Sequence, residues 1–225
     1  MAHVITRISR PEPELIEAYR GLGAATVYEA AGRVGSVAPA IKPLAKGVHI
    51  LGPAVTVLCH PRDNLMLHKA LQIAKEGDVL VATTDGYPEA GYWGGLMATS
   101  AMARKLGGLA IDGCVRDSEE MIRMGFPVFC RGTCMRGTTK GVLGSVNLPI
   151  LFGEVDVSPG DLVLGDDDGI VIIAKADLEK VLAASRKRVE NEEQKAAALR
   201  SGTSSVELNK LEPVLKSLGM VEAEK

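Results

Sequence analysis

The sequence predicts a single mixed α/β domain, and three observations carry that prediction. Helix-like and strand-like periodicities alternate from about residue 64 to residue 130, short valine-rich strands with Asp-Gly turns follow, and one long charged helix comes last. The 225 residues suit one compact core. That core is assigned to residues 1–175, and a helical C-terminal extension to residues 176–225.

Each element has a local reason. "PEPELIEAYRGLGAATVYEAAG" places Leu15, Ile16, Tyr19 and Leu22 at helical spacing, breaks at Gly21 and Gly23, and restarts as a short helix ending at Gly32. "VHILGPAVTVLC", Val48 to Cys59, is rich in valine and interrupted by Gly-Pro, which predicts a bent strand. A helix over Asn64–Ala74, a stop at Gly77 and a strand over Val79–Thr83 follow. Leu96–Lys105 forms the next helix, Gly107-Gly108 ends it, and "LAIDGCV" is a buried strand leading to a helix over Ser118–Met124. "PVFCRGT" is another short strand, and the segment "VNLPILFGEVDVSPGDLVLGDDDGIVIIA" breaks into strands at its turn residues. The early strands suggest a parallel layer, the later ones an antiparallel or barrel-like layer. From Ala176 to Leu199 the last helix carries Leu178, Val181, Leu182 and Val189 on one face, and its polar remainder is expected to meet a neighbouring subunit.

Composition excludes several classes of function. Lys+Arg number 26 against Asp+Glu 28, and no basic tract gathers the positive charge, so a nucleic-acid partner is not expected. No apolar stretch approaches the roughly 18 residues of a membrane span and no signal-like segment opens the chain, so a cytoplasmic protein without a membrane partner is expected. Cys59, Cys114, Cys130 and Cys134 lack a second pair at metal-ligand spacing, and free thiols in a reducing compartment are the simpler reading.

Arg116 and Asp117 stand side by side where "LAIDGCV" ends. Two readings of Asp117 are open. "DSEE" is capping-box-like, with Glu120 three residues on, so Asp117 could simply start a helix. Alternatively the pair lies at the C-terminal edge of a sheet, where α/β folds place ligands. A carboxylate there can hold Mg²⁺, which keeps several waters, and an arginine can clamp a substrate carboxylate or an oxyanion. Gly94-Gly95 precedes a helix whose exposed N–H groups would suit an anion; alone it is an ordinary turn. Together the three elements describe a site for a small metal-chelating carboxylate.

In family order and with similar spacings, the chain contains "ATVYEAAGRVG", "DNLMLHKAL", "GYWGGLMATSA", "IDGCVRD", "MGFPVF", "LGSVNLPI", "PGDLVLGDDDG" and "RVENEEQK". On these motifs it resembles the class II pyruvate aldolases, the family of 4-hydroxy-4-methyl-2-oxoglutarate and 4-carboxy-4-hydroxy-2-oxoadipate aldolases. The resemblance implies a β/β/α swivelling-domain fold assembled as trimers or hexamers with sites at subunit interfaces. It also implies a Mg²⁺- or Mn²⁺-dependent lyase that releases pyruvate from a keto acid substrate and decarboxylates oxaloacetate as a side reaction. By position, Asp117 would hold the metal, Arg116 would contact the pyruvyl group, and the N–H groups of Gly94, Gly95, Leu96 and Met97 would bind its carboxylate. Glu192 would reach the metal waters of a neighbouring subunit. A Schiff-base route has little support, because Lys69 and Lys105 lie in polar helical contexts.

One departure stands out. The family pattern has an acid, which helps to organise a catalytic water, where this chain has Gly95. Glu89 in "PEAGYWGG" is one candidate to offset the loss. His68 is a candidate substrate contact, or a partly buried helix residue; Glu29 is a candidate for the distal end of the substrate, or a surface residue. "DDDG" lacks the remaining ligands of a calcium loop and is taken as a tight turn. The same superfamily contains non-catalytic regulators that inhibit ribonuclease E, and these characteristically lose the metal aspartate. Retention of Asp117 and Glu192 favours an enzyme; Gly95 leaves the particular reaction open.

Overall fold

The computed structural model describes residues 3–223. Two short helices, α1 (Pro13–Glu17) and α2 (Ala24–Ala30), precede β1 (Lys42–Pro43) and the long β2 (Ile50–Leu58). The alternating section comprises α3 (Leu65–Ile73), β3 (Val79–Thr83), α4 (Gly95–Ala103), β4 (Gly108–Asp112), β5 (Cys114–Val115), α5 (Ser118–Met124), β6 (Val128–Cys130) and β7 (Gly132–Thr133). The antiparallel section comprises β8 (Ser145–Val146), β9 (Ile150–Phe152), β10 (Val155–Val157), β11 (Leu162–Asp166) and β12 (Gly169–Ile173). The long α6 (Leu178–Arg200) follows, then α7 (Ser205–Leu208) and α8 (Glu212–Ser217).

The main sheet runs β1-β6-β4-β3-β2-β11-β12, with β8 also on β2. β2, β3, β4 and β6 are mutually parallel, as expected of strands joined through helices, whereas β11 and β12 pair antiparallel. The two ends of this path approach each other. Lys42 of β1 donates to the Asp168 carbonyl in the β11–β12 turn, and the Gly47 N–H donates to Asp167 Oδ1 at 2.8 Å, so the sheet nearly closes. The bend in β2 has a visible purpose: Ile50–Pro53 pair with β11, while Val57 and Leu58 pair with β8. Gly52 at the bend is required by close approach, since a Cβ there would overlap the Gly77 carbonyl oxygen.

Three apolar layers result. α3, α4 and α5 cover one face of the parallel strands through Leu67, Ala98, Met121 and Trp93. β9 and β10 close the other face through Phe152 and Val157. α1, α2 and the first turns of α6 cover β11 and β12. Each fully buried Leu, such as Leu67, Leu80 or Leu109, contributes on the order of 1.5–3 kcal/mol relative to exposure.

The expected mixed α/β class is observed, with three local differences. "LAIDGCV" is two strands: at Gly113 the chain leaves the main sheet and β5 pairs parallel with β7. α4 starts at Gly95, one residue before the expected Leu96. The buried stripe of α6 ends at Ser185, and Val189 is only half-buried. "DDDG" is the expected tight turn, and Asp166 also accepts from the Ala24 N–H at the start of α2 at 2.8 Å. All four cysteines are free, and among the described residues no helix is long and apolar enough to cross a membrane.

Candidate functional site

The site forms where α4 and α5 begin. Residues 91–93 run beside 114–116, held by the Tyr92 N–H on the Cys114 carbonyl (3.1 Å) and the Arg116 N–H on the Trp93 carbonyl (2.9 Å). The N-terminus of α4 is thereby fixed next to Arg116 and Asp117.

Asp117 decides between the two readings left open by the sequence. It occupies the N-cap position of α5, but its backbone is left-handed (φ 56°, ψ 37°) and its side chain caps nothing on that helix. Instead, Oδ2 accepts from the Gly95 N–H at 3.1 Å, the first amide of α4. The left-handed turn aims the carboxylate away from its own helix, so the capping-box reading fails for Asp117. Gly94 is extended, a conformation open to any residue, so its demand is steric: a Cβ there would overlap Asp117 Oδ2 and stand 3.2 Å from Arg116 Cγ.

Arg116 Nε lies 3.8 Å from Asp117 Oδ2, with the two side chains 50% and 45% exposed. An exposed pair at that distance contributes about 0–1 kcal/mol, so fold stability does not account for the arrangement. Of the four amides expected to bind a carboxylate, that of Met97 closes the first turn of α4 on the Gly94 carbonyl (3.0 Å), and that of Gly95 serves Asp117. The N–H groups of Gly94 and Leu96 have no partner among the described residues.

A cleft of about 220 Å³ opens over these groups, and Asn64, His68, Trp93, Thr138 and Lys140 complete its walls. Asn64 and Trp93 are 5% and 0% exposed. Their Asn64 Oδ1 and Trp93 Nε1 atoms are buried without a hydrogen-bond partner among the described residues. Asn64 Nδ2 donates to the Tyr92 carbonyl at 2.8 Å, which fixes the amide and makes Oδ1 the free acceptor. Orphaned buried polar atoms cost about 1–3 kcal/mol each and point to a polar ligand. His68 is exposed on the rim; burial of its ring and the charge of Lys140 both hold its pKa below the ordinary value, favouring the neutral imidazole.

The wall carrying Thr138 and Lys140 is held by the buried Asp63. Its carboxylate accepts from Thr139 Oγ1 (2.8 Å), the Gly141 N–H (2.6 Å), the Val142 N–H (3.2 Å) and the Leu65 N–H (2.9 Å). Burial alone would raise the Asp63 pKa, but these hydrogen bonds outweigh it and hold it below the ordinary carboxylate value. A depressed folded-state pKa adds stability above the unfolded value of about 4, and that stability is lost as pH falls through the folded pKa. Asp63→Asn is therefore expected to lower stability by about 1–3 kcal/mol at pH 7. Urea titrations of the two proteins should converge only as pH falls through the depressed folded-state pKa of Asp63, where wild type is itself protonated.

Other expected residues lie elsewhere. Glu192, on α6, lies 2.8 Å from Arg188 Nε and accepts from Thr26 Oγ1 at 3.4 Å, in a second cleft of about 610 Å³. Within one chain it is not joined to Asp117. Glu29 shares Arg188 (3.8 Å) and also pairs with Arg33 (3.1 Å). Glu89 pairs with Arg136 at 3.3 Å and is largely exposed. Lys69, on α3, binds Gln72 (2.7 Å), and Lys105 lies by Glu76 (3.3 Å) in the turn after α4, which ends at Ala103 and not at the expected Lys105.

The donor set fits a hard divalent cation better than a closed cage. Among the described residues of one chain no three His, Cys, Asp or Glu side chains cluster, so a three-ligand zinc-type site is not built within it. Asp117 offers one exposed carboxylate with a free oxygen, matching the one or two carboxylates plus waters that Mg²⁺ takes.

The family described as RraA-like, Aldolase/RraA, matches residues 24–172. The chain belongs to this RraA-like family. One relative, from Halalkalibacterium halodurans and provisionally named 4-hydroxy-4-methyl-2-oxoglutarate aldolase, is 31% identical over 199 residues, 88% of this chain and 95% of its own. An uncharacterized Methanocaldococcus jannaschii protein is 32% identical over 154 residues, 68% of this chain and 74% of its own. Among solved structures, Streptomyces coelicolor RraAS2, described as an unusual member of the RNase ES inhibitor RraA protein family, matches with a TM-score of 0.76 at 26% identity, covering 83% of this chain and 98% of that one. An uncharacterized protein from Pseudomonas syringae pv. tomato shares the fold, with a TM-score of 0.79 at 24% identity over 90% and 98% of the two chains. The RraA-like fold thus accounts for the near-closed sheet, the N-terminal helices and the long C-terminal helix.

The sequence reading missed Asn64, Trp93, Lys140 and the Asp63 brace. A polar Asn directly before an apolar helix and a Lys in the glycine-bearing "RGTTKG" were available signals, but nothing local brings residue 64 to residue 140.

Proposed function

We propose that this RraA-like chain is a divalent-metal-dependent carbon–carbon lyase. Its substrates are 4-hydroxy-2-oxo di- or tricarboxylates such as 4-hydroxy-4-methyl-2-oxoglutarate or 4-carboxy-4-hydroxy-2-oxoadipate, cleaved to pyruvate and a second keto acid, with oxaloacetate decarboxylation alongside. The observation that carries the reading is Asp117: a carboxylate in a left-handed turn, turned away from its own helix, beside Arg116 and a cleft with two orphaned buried polar atoms. The provisional aldolase name of the Halalkalibacterium relative supports it.

In retro-aldol cleavage the C4 hydroxyl loses its proton, the C3–C4 bond breaks, and the electron pair becomes an enolate on the C2 oxygen; protonation at C3 then gives pyruvate. A Mg²⁺ or Mn²⁺ held at Asp117 would polarise the 2-keto oxygen as a Lewis acid. Arg116 stabilises the oxygen on which charge develops, and the free N–H groups of Gly94 and Leu96 bind the pyruvyl carboxylate. Asn64 Oδ1 accepts a substrate hydroxyl. Lys140 supplies the positive end for a second carboxylate, and the neutral imidazole of His68 on the same rim offers a hydrogen bond to the substrate. In a trimer or hexamer, Glu192 of one subunit would complete the site of the next.

A second reading, a non-catalytic regulator of ribonuclease E-type activity, draws on the likeness to RraAS2 and on Gly95. A pyruvate assay decides between them. Oxaloacetate and 4-carboxy-4-hydroxy-2-oxoadipate are expected to yield pyruvate with Mg²⁺, to lose at least about a hundredfold in rate with chelator, and to recover on metal addition. Absence of turnover with both compounds, or turnover indifferent to chelator, refutes the lyase.

A further inference from the structure

Trp93 is the only tryptophan of the chain and is fully buried, and its indole stacks on Phe126 with ring centroids 5.9 Å apart and planes 14° from parallel. A phenyl ring would serve that packing. The indole adds one N–H, and this donor is buried without a partner among the described residues. Burying a donor in that way costs free energy that the stacking does not explain. The second orphan of the cleft is of the opposite kind. Asn64 Nδ2 is committed to the carbonyl of Tyr92, the residue next to Trp93, so Asn64 Oδ1 presents an acceptor only. Both residues line the cleft together with Arg116, Asp117 and the first residues of α4.

One free donor and one free acceptor select their ligand by elimination. A carboxylate or keto oxygen accepts from Trp93 Nε1 but has no proton to donate to Asn64 Oδ1. An ammonium donates to Asn64 and has no lone pair for Trp93. A hydroxyl does both. Resting on the lyase reading above, we propose that Trp93 Nε1 and Asn64 Oδ1 together grip the C4 hydroxyl of the substrate and set the preference for 4-hydroxy-2-oxo acids over oxaloacetate, whose C4 is an ionised carboxylate. The indole N–H and the amide oxygen do not titrate near neutral pH, so the pair binds and orients the hydroxyl without taking its proton. A site with both groups committed in this way loses affinity for any ligand that leaves one of them unpaired.

Two measurements on the full-length chain with Mg²⁺ test this. Trp93→Phe keeps an aromatic ring against Phe126 and removes the donor. The ratio of kcat/KM for 4-hydroxy-4-methyl-2-oxoglutarate to that for oxaloacetate is expected to fall about tenfold in this variant, the scale of one lost hydrogen bond. Oxaloacetate turnover needs no hydroxyl and reports that the variant has folded. The second measurement uses wild type and no turnover, because the emission of the single tryptophan responds to a hydrogen bond at its N–H. 2-Hydroxy-2-methylglutarate, which lacks the keto group that cleavage needs, should move that emission to longer wavelength, and 2-methylglutarate should not. If Trp93→Phe loses both reactions, the emission comparison decides alone. A substrate ratio unchanged from wild type, or the same emission with both glutarates, overturns the proposal and assigns the orphaned pair to a structural water. A wild type that releases pyruvate from neither substrate overturns the lyase reading and this inference with it.

Discussion

Asp117→Asn is expected to reduce metal-dependent pyruvate release by at least about a thousandfold while leaving the melting temperature nearly unchanged. The substitution isolates charge. Asn tolerates the left-handed backbone at φ 56° as Asp does and keeps an oxygen for the Gly95 N–H, so the geometry survives and only the anion is lost. Stability should change little because the carboxylate is 45% exposed, caps nothing on its own helix, has its nearest charged partner 3.8 Å away, and leaves an Asn oxygen in its place for the Gly95 N–H. Isothermal titration with Mg²⁺ and oxalate provides the check that does not depend on turnover: binding seen in wild type should vanish in the variant. Gly94→Ala should mimic the loss by a different route, since its methyl would occupy the carboxylate's position. A variant with wild-type pyruvate release would leave Asp117 as a structural turn residue and remove the basis of the lyase.

The largest stability effect is expected far from the cleft. Asp78 is fully buried at the turn before β3, where it accepts from Arg10 Nε and Nη2, both at 2.7 Å, and from the Lys75 N–H at 2.7 Å. This bidentate pair ties the N-terminal segment across the edge of the parallel layer. Arg10→Met would leave a buried carboxylate with a single amide partner, at a cost of about 3–5 kcal/mol. Most of that cost comes from the stranded charge rather than from the worth of the pair, so the double variant Arg10→Met/Asp78→Asn should regain a good part of it. Urea midpoints of the three proteins measure both quantities, and a loss under about 1 kcal/mol in Arg10→Met would show that the pair is solvated.

Much of the fold was legible because its signals are local. Valine-rich runs, glycine stops and the Gly-Pro bend located β2, β3, α3, α5 and the β11–β12 turn without reference to anything distant. "LAIDGCV" shows the limit: its apolar run is continuous, but Gly113 passes under the Thr84 side chain, where a Cβ would stand 2.8 Å from Thr84 Cγ2, and the strand is handed from one sheet to another. Val189 had the spacing of a core residue on α6, yet it is only half-buried, because burial depends on what packs against the helix and not on its period alone.

The candidate site divides in the same way. Arg116, Asp117 and the glycine pair are recognisable from residue type and order, because chemistry at the end of a strand needs those groups and the motif lies within one short stretch. Whether Asp117 caps its helix or reaches across it, and which amides of α4 stay free, depend on how two helix starts face each other. Asn64, Asp63 and Lys140 join Arg116 only through the packing of α3 and the loop after β7 against that edge. Sequence by itself determined the class of fold and the inventory of reactive groups, since periodicity and side-chain chemistry belong to single residues and their near neighbours. Tertiary structure alone decided which of those groups meet, because contact across the cleft comes from the handedness of one turn and the volume left by a missing side chain.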